Sequence, residues 1–354
     1  MKRYKVTTEY KYFAAANGYG GFKSYFDSVF KSSDFEKIYV LKGGPGTGKS
    51  SLMKSVSRHF SDNGVYNEAI YCSSDYESLD GVIVEINGKR AAILDGTAPH
   101  ERDAVIPGAI DELINLGDCW DSDKLEKHRE EILCLNKKKK KFYNDAYGYL
   151  ALSGEINNKI KAEYFEKVDY TNLIKDANEF AQRNITRVGC TGERTRLTSS
   201  FGKNGYLRFN TLSEISKNTI RIKGDGINEY IYLKALYDAA HLLGVGMTVA
   251  PSPLDEGLIE ELYFPEDSLT VSATATSGTI YDANKGTGGA HLLGDEFEYL
   301  CVRKTILEYA SLSFKNASNT HFALEDIYTG AMCFEKNTRI TEELISEIEK
   351  KLSK

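Results

Sequence analysis

The chain has 354 residues, of which 41% are hydrophobic and 27% are charged, so it has the composition of a soluble globular protein and the length of two ordinary domains. Its formal net charge of −6 does not favour nucleic acid as a partner, although a local basic patch would be compatible with one. The N-terminal residues 1–6 are not followed by an apolar core of signal-peptide length, and no apolar run is long enough to span a membrane. The six cysteines include no C-x-x-C pair and are expected to be reduced. We therefore expect a cytoplasmic protein without a membrane partner.

The first predicted strand, residues 37–41, leads directly into a glycine-rich motif. The strand is short, mostly apolar and β-prone, which is typical of a buried parallel strand. A helix is predicted after the motif because Leu52, Val56 and Phe60 share one face. Between the two lies a complete G-x-x-x-x-G-K-[ST] sequence. Together with the serine that follows it, this Walker A motif gives the expected phosphate-binding residues, which are Gly43, Gly44, Pro45, Gly46, Thr47, Gly48, Lys49, Ser50 and Ser51.

The residue types of this motif suit the binding of a nucleoside triphosphate. Glycine permits positive φ and a close approach of the backbone to phosphate oxygens. The backbone N–H groups then form an anion-binding nest at a helix N-terminus. Lys49 is expected to contact the β- and γ-phosphates, and the Ser50 hydroxyl is expected to ligate Mg²⁺. The structural alternative is an ordinary glycine-rich turn before a helix.

Two aspartates follow the next predicted strands. Asp75 comes after residues 69–72, and Asp95 comes after residues 91–94. Because the carboxyl ends of parallel strands meet in one crevice, we expect Asp95 to be the second magnesium ligand and Asp75 to orient water or a substrate hydroxyl. The alternatives are turn or helix-capping roles. His100 is interpreted as a γ-phosphate sensor, an acid or a surface histidine. The predicted catalytic residues are Lys49, Asp75 and Asp95.

Residues 123–185 are rich in Lys, Glu, Leu and Tyr and contain no proline, which predicts helix. Leu125, Ile132, Leu135 and Phe142 form a rough apolar stripe. The lysine run 137–141 is interpreted as a solvated helical face, with contact to nucleic acid or to an acidic partner as the alternative. A second helical region is predicted over residues 305–351.

The two halves of the chain repeat several patterns in the same order, which indicates an internal duplication. The matching segments are 12–22 with 196–206, 38–43 with 219–224, 79–80 with 254–255 and 116–121 with 293–298. The spacing between partners stays within a few residues along the chain, as small insertions and deletions would produce.

The second copy lacks the lysine, the serine hydroxyl and the aspartate carboxylate that are expected to bind phosphate and Mg²⁺ in the first. The aligned positions are Gly48 with Glu229, Lys49 with Tyr230, Ser50 with Ile231 and Asp95 with Ser272. A glutamate beside the expected phosphate position would repel it. We therefore expect the second half to keep the fold without binding phosphate, and to act as a scaffold or regulator.

With the glycine motif and the duplication established, the chain resembles an uncharacterised group of bacterial tandem P-loop ATPase-like proteins. The resemblance spans nearly the whole chain, and its markers are the segment Asp95-Gly96-Thr97-Ala98-Pro99-His100 and Leu116-Gly117-Asp118 near Trp120. It implies an α/β fold of two tandem P-loop NTPase-like domains, each a mostly parallel sheet flanked by helices. The expected domains are 1–190, including the helical region 123–185, and 191–354. Members of the group can carry a second P-loop, and this chain departs from them at Glu229, Tyr230 and Ile231.

The expected activity is Mg²⁺-dependent ATP binding and hydrolysis by the first domain. Adenine is favoured because the nearest approach to the guanine signature N-K-x-D, residues 284–287, lacks its aspartate. A kinase is one alternative, with an acceptor pocket lined by Asp75, Asp95, Arg90 and Arg102. A non-catalytic nucleotide sensor is the other alternative. The partner is a protein or a small-molecule acceptor that the sequence does not name.

Overall fold

The computed structural model describes residues 9–187, 192–287 and 296–353. The strands of the first half are β1 Glu9–Phe13, β2 Ala15–Gly18, β3 Gly21–Ser24, β4 Lys37–Lys42, β5 Tyr66–Tyr71, β6 Leu79–Ile86, β7 Lys89–Asp95 and β8 Asp111–Asn115. Its helices are α1 Phe26–Val29, α2 Lys49–Asp62, α3 Ser122–Glu126, α4 Arg129–Lys167 and α5 Thr171–Asn184. The strands of the second half are β9 Arg194–Thr195, β10 Ser199–Gly202, β11 Gly205–Arg208, β12 Asn218–Lys223, β13 Thr248–Pro251, β14 Ile259–Phe264, β15 Leu269–Ser272 and β16 Thr279–Asp282. Its helices are α6 Thr211–Ile215, α7 Asn228–Leu242, α8 Glu296–Thr329 and α9 Phe334–Leu352.

The first sheet has six strands in the order β1-β5-β6-β7-β4-β8. Strand β6 is antiparallel to both of its neighbours, and the other pairs are parallel. The central strands β4 and β7 are buried on both faces, which explains their nearly continuous apolar sequences. The β6–β7 hairpin closes through Asn87 and Gly88, whose φ angles are 55° and 77°. Two consecutive residues with positive φ form the kind of tight turn that matches strand twist.

The second sheet repeats this topology strand for strand. Its order is β9-β13-β14-β15-β12-β16, with β14 antiparallel to both neighbours and the remaining pairs parallel. The expected α/β architecture is therefore confirmed as two mixed, mostly parallel six-stranded sheets flanked by helices. The shared strand order is what the predicted internal duplication requires. One of its four sequence matches, 116–121 with 293–298, lies partly outside the described residues.

The compact units do not follow the predicted boundary between residues 190 and 191. The first unit comprises residues 1–15, 24–145 and 312–354, and the second comprises 16–23 and 146–311. The reason is an exchange of helices. Helix α9 buries Leu344, Ile348 and Leu352 in the core of the first unit, whereas α5 buries Leu173 and Ala177 in the core of the second. The apolar face of each helix therefore completes the core built around the other repeat.

The predicted helical regions are confirmed, since α3, α4 and α5 cover most of residues 123–185, and α8 and α9 cover most of residues 305–351. Among the described helices, none is both long and apolar enough to cross a membrane. The described cysteines carry free thiols, and Cys190 lies outside the described residues.

Candidate functional site

The loop between β4 and α2 is the structural centre of the candidate site. Gly46 and Gly48 have φ angles of 66° and 81°, and Gly48 is the N-cap of α2. These angles favour glycine because a side chain would be strained there. The Thr47 hydroxyl donates to the carbonyl of Gly44 at 2.8 Å and braces the turn. The backbone N–H groups of the loop thus lie at a helix N-terminus, where the helix dipole favours an anion.

Lys49 begins α2, and its ammonium group is folded back over the loop. Its Nζ donates to the carbonyls of Gly43 at 2.6 Å and Gly44 at 3.0 Å. The same atom lies 3.7 Å from Oδ2 of Asp95, and the two side chains are only 12% and 16% exposed. The ammonium group therefore sits in a largely desolvated position, where its charge acts more strongly than in water.

Asp95 reaches the loop because β7 is the parallel neighbour of β4, with Asp95 paired to Leu41 at the end of the strand. Its Oδ1 accepts hydrogen bonds from the Thr97 N–H at 2.9 Å and the Thr97 hydroxyl at 2.6 Å. The Asp95 carboxylate thus stabilises a turn through Oδ1, which was the alternative role considered for this residue. Its Oδ2 faces Lys49. The two interpretations of Asp95 are compatible.

The residues expected to hold magnesium fit that ion. Ser50 lies in the first turn of α2, and its Oγ accepts a hydrogen bond from the Leu79 N–H at 3.0 Å. Ser50 and Asp95 are both hard oxygen donors, and Mg²⁺ takes one or two such protein ligands while phosphates and water complete its shell. Across the described residues, no group of three or more His, Cys, Asp and Glu side chains is arranged to hold a metal. A metal site here would therefore depend on phosphate oxygens.

Asp75 lies in the segment after β5, whose carboxyl end points to the same edge of the sheet as those of β4 and β7. Its Oδ1 accepts the Glu77 N–H at 3.0 Å, and its Oδ2 accepts the Ser318 hydroxyl at 3.3 Å. This geometry favours the turn role over the positioning of a nucleophile. The hydrogen bond from Ser318 also connects the segment after β5 to α8.

The C-terminal end of α8 packs directly on the glycine-rich loop. A Cβ at Gly46 would lie 2.7 Å from the Glu325 carbonyl oxygen, and one at Gly44 would lie 3.1 Å from the ring of Tyr328. The pKa of Glu325 is lowered, chiefly by a hydrogen bond from His321 and also by one from the Gly46 N–H. The end of α8 that carries Glu325 therefore lies directly against the loop N–H groups that a phosphate would need.

The sequence analysis did not identify the residues that cover the loop because they are distant from it in sequence. They are Trp120, Glu325, Tyr328 and Asn337. Trp120 packs its ring 5.8 Å from that of Tyr328, so the marker segment near Leu116 also lies against the loop. Asn337 of α9 donates to the loop carbonyl of Thr47. Helices α8 and α9 each have an apolar stripe in their sequence. Such a stripe predicts that the helix packs against a core but does not identify which core.

Three other sequence-predicted residues are engaged elsewhere. His100 is 7% exposed and lies 3.0 Å from Asp80, so the surface interpretation is wrong. Burial by itself would lower the pKa of His100, but the Asp80 carboxylate outweighs burial and the pKa is raised. Arg90 lies near the start of β7, at the opposite end of the strand from Asp95, and is paired with Glu68.

Arg102 is 6% exposed, and its Nη2 lies 3.7 Å from Asp111 and 3.3 Å from the Ser32 hydroxyl. Both arginines are thus held by partners inside the first unit. The acceptor pocket predicted for a kinase is therefore not formed by these guanidinium groups.

The corresponding loop of the second unit is built differently. When the glycines that follow α2 and α7, Gly64 and Gly244, are aligned, Lys49 falls opposite Glu229 and Ser50 opposite Tyr230. This shifts the predicted alignment by one residue within the helix. A Cβ at Gly226 would lie 2.0 Å from the Tyr164 ring, so an aromatic side chain covers this loop. Burial raises the pKa of Glu229 to about 7.

Ser272 takes over the turn made by Asp95. Its Oγ accepts hydrogen bonds from the N–H groups of Thr274 at 3.1 Å and Ala275 at 2.8 Å. The turn is therefore kept, while the negative charge that a metal would need is lost.

No family model matches this chain, and no significant match was found among curated proteins or among solved structures. The functional assignment therefore rests on the residues themselves.

Proposed function

We propose that the first unit binds Mg²⁺-ATP at the glycine-rich loop and hydrolyses it, and that the second unit is a scaffold or regulator without a nucleotide site. The chain is also proposed to belong with the tandem P-loop ATPase-like proteins that its sequence resembles. The observation that carries the proposal is the convergence of Lys49 and Asp95 beside a glycine loop at a helix N-terminus.

In this proposal each residue has a defined task. The loop N–H groups and Lys49 bind the phosphates, and Ser50 and Asp95 hold the magnesium ion, which neutralises phosphate charge. A water oxygen then bonds to the γ-phosphorus while the bond to the β–γ bridging oxygen breaks. The products are ADP and inorganic phosphate, and the proton of the attacking water leaves with the phosphate or to solvent.

The end of α8 and helix α9, which cover the loop, would allow the site to respond to nucleotide binding. Glu325 packs on Gly46 through its backbone and carries a carboxylate next to the loop, so an arriving phosphate would meet a like charge. Like charges repel, and we expect nucleotide to displace the side chain. Such a local rearrangement is the kind of event through which a nucleotide state is transmitted to a partner.

The competing functions differ in what stimulates turnover. A kinase needs an acceptor hydroxyl, and the pairing of Arg90 and Arg102 with internal carboxylates removes two groups expected to recognise it. A sensor binds nucleotide without turnover. The ATPase proposal requires ADP release in the absence of any acceptor.

The experiment is an ADP-release assay on the full chain with no addition, with a panel of metabolites and with nucleic acid. We expect Mg²⁺-dependent release without addition, and its loss in Lys49→Ala. Charged hydrogen bonds are each worth about 1.5–3 kcal/mol, so the loss of one lowers affinity by about tenfold or more. Release that depends on one metabolite would replace the ATPase proposal with a kinase. Binding without release would replace it with a sensor.

A further inference from the structure

The lysine run of α4 contains one member whose environment differs from that of the others. Lys137, Lys138, Lys140 and Lys141 are exposed, whereas Lys139 is half-buried. Lys139 follows Leu135 by four residues and precedes Phe142 by three, so it lies on the packed face of the helix. A cation therefore occupies a position in the apolar stripe, and the solvated-face interpretation does not hold for Lys139.

The packed face is held against α8 by aromatic contacts within the first unit. Tyr143, one turn after Lys139, packs edge-on against Phe314 with ring centroids 5.9 Å apart. Phe314 is 1% exposed, so this contact is part of the core. The anchoring fixes the side of α4 from which Lys139 projects.

The surroundings of Lys139 connect it to the glycine-rich loop. Its Nζ lies 3.5 Å from Nδ1 of His321, and Nε2 of that histidine lies 3.5 Å from the Glu325 carboxylate. The Glu325 backbone packs on Gly46, since a Cβ at Gly46 would lie 2.7 Å from the Glu325 carbonyl oxygen. Desolvation lowers the pKa of Lys139 and the charge of Lys49 lowers it further, while the Glu325 carboxylate opposes them. The two ammonium groups are thus close enough to repel each other.

Two partly buried ammonium groups repel each other, and the Asp95 and Glu325 carboxylates offset part of that repulsion. An anion bound between the two lysines would add to this stabilisation. The proposed phosphate-binding loop supplies the place for that anion. We propose that Lys139 contacts the terminal phosphate of the bound nucleoside triphosphate and stabilises the negative charge that develops there during hydrolysis. This inference rests on the proposed function, and it assigns to α4 the role that a cationic finger has in other phosphoryl-transfer sites.

If Lys139 contacts the terminal phosphate, its removal should affect the binding of a nucleoside triphosphate more than that of a diphosphate. Lys139→Ala should weaken binding of a non-hydrolysable ATP analogue with Mg²⁺ by about tenfold or more, because a charged hydrogen bond is lost. Binding of ADP with Mg²⁺ should change little. Turnover should fall on the order of 100-fold, the usual effect of removing one donor that stabilises transition-state charge. Lys139→Arg should retain part of the turnover.

The experiment is calorimetry with both nucleotides on the full chain, with Lys138→Ala and Lys140→Ala as matched controls from the same run. Both controls should resemble the unaltered protein. An equal loss for ADP and the ATP analogue, or no loss for either, would overturn the role of Lys139 while leaving the nucleotide site intact. Absence of nucleotide binding by the unaltered protein would overturn both proposals. A thermal unfolding curve for each variant separates loss of contact from loss of fold.

Discussion

Asn337 donates a hydrogen bond from its side-chain amide to the backbone carbonyl of Thr47 at 2.9 Å, across 290 residues of sequence. The amide is buried, and a Cβ at Gly48 would lie 3.1 Å from its nitrogen. The exchanged helix α9 therefore holds the glycine-rich loop in place. The loop geometry depends on the end of the chain as well as on the motif itself.

Asn337→Leu is expected to destabilise the first unit and to weaken nucleotide binding. The Thr47 carbonyl would be left buried without its donor, which costs about 1–3 kcal/mol. Chemical denaturation and nucleotide titration of the same variant measure the two effects. Thr338→Ala, at an exposed position of the same helix, is the control. If both variants behave alike, α9 does not hold the loop.

Asp95→Asn is expected to raise the Mg²⁺ requirement of turnover and to lower turnover on the order of 100-fold, with a smaller change in ATP affinity. The amide oxygen can still accept from Thr97, so the turn is kept while the charge at the metal position is lost. A magnesium titration of turnover provides the measurement. Asp103→Asn is the control, because Asp103 is 87% exposed and pairs with Lys42. An unchanged magnesium requirement would assign the metal ligand elsewhere.

Gly226→Ala is expected to destabilise the protein more than Gly244→Ala. Both glycines have positive φ, 61° and 69°, so both variants carry a similar strain of about 1 kcal/mol. Only at Gly226 would the new Cβ meet the Tyr164 ring, whereas nothing lies within 4 Å at Gly244. Forcing an atom into a filled space adds about 1–3 kcal/mol. Equal unfolding free energies would show that Tyr164 does not cover this loop.

Glu260 is expected to make the second unit less stable as pH rises. Its carboxyl accepts from Ser199 and Tyr206, and burial raises its pKa to about 7, from 4.5. Between about pH 4.5 and pH 7 the folded protein keeps a proton that the unfolded chain has lost. Stability therefore falls across this range by about 3 kcal/mol and is level above it with respect to this group.

Glu260→Gln should remove most of that slope. Denaturant unfolding at a series of pH values gives the measurement, and Glu266→Gln, at an exposed position after β14, is the control. A slope that persists in Glu260→Gln would place the responsible proton on another group.

The local parts of the site were predictable because their signals are contiguous. The strand, loop and helix around Lys49 follow one another, and the strand before Asp95 is a continuous apolar run. The β6–β7 hairpin was missed although Asn87-Gly88 is a strong turn signal. The exchange of α5 and α9 was not predictable, because an apolar face such as that of Leu344 and Ile348 does not specify its partner.

The apolar stripe of α4 carried a signal for Lys139 that the interpretation of the lysine run overlooked. The five lysines were interpreted as one solvated face, yet the spacing from Leu135 to Phe142 is compatible with Lys138 or Lys139 on the stripe, and the structure shows that Lys139 is the less exposed of the two. The identity of its neighbours, His321 and Glu325, required the tertiary structure. Long-range contacts of this kind carry no local pattern.

The most direct test of the central claim is calorimetric titration of the full chain with a non-hydrolysable ATP analogue and Mg²⁺. The first unit has Lys49, Ser50 and Asp95 at its loop, whereas the second has Glu229 and a loop covered by Tyr164. We predict a stoichiometry near one nucleotide per chain, abolished by Lys49→Ala. A stoichiometry near two, with one site surviving Lys49→Ala, would contradict the account.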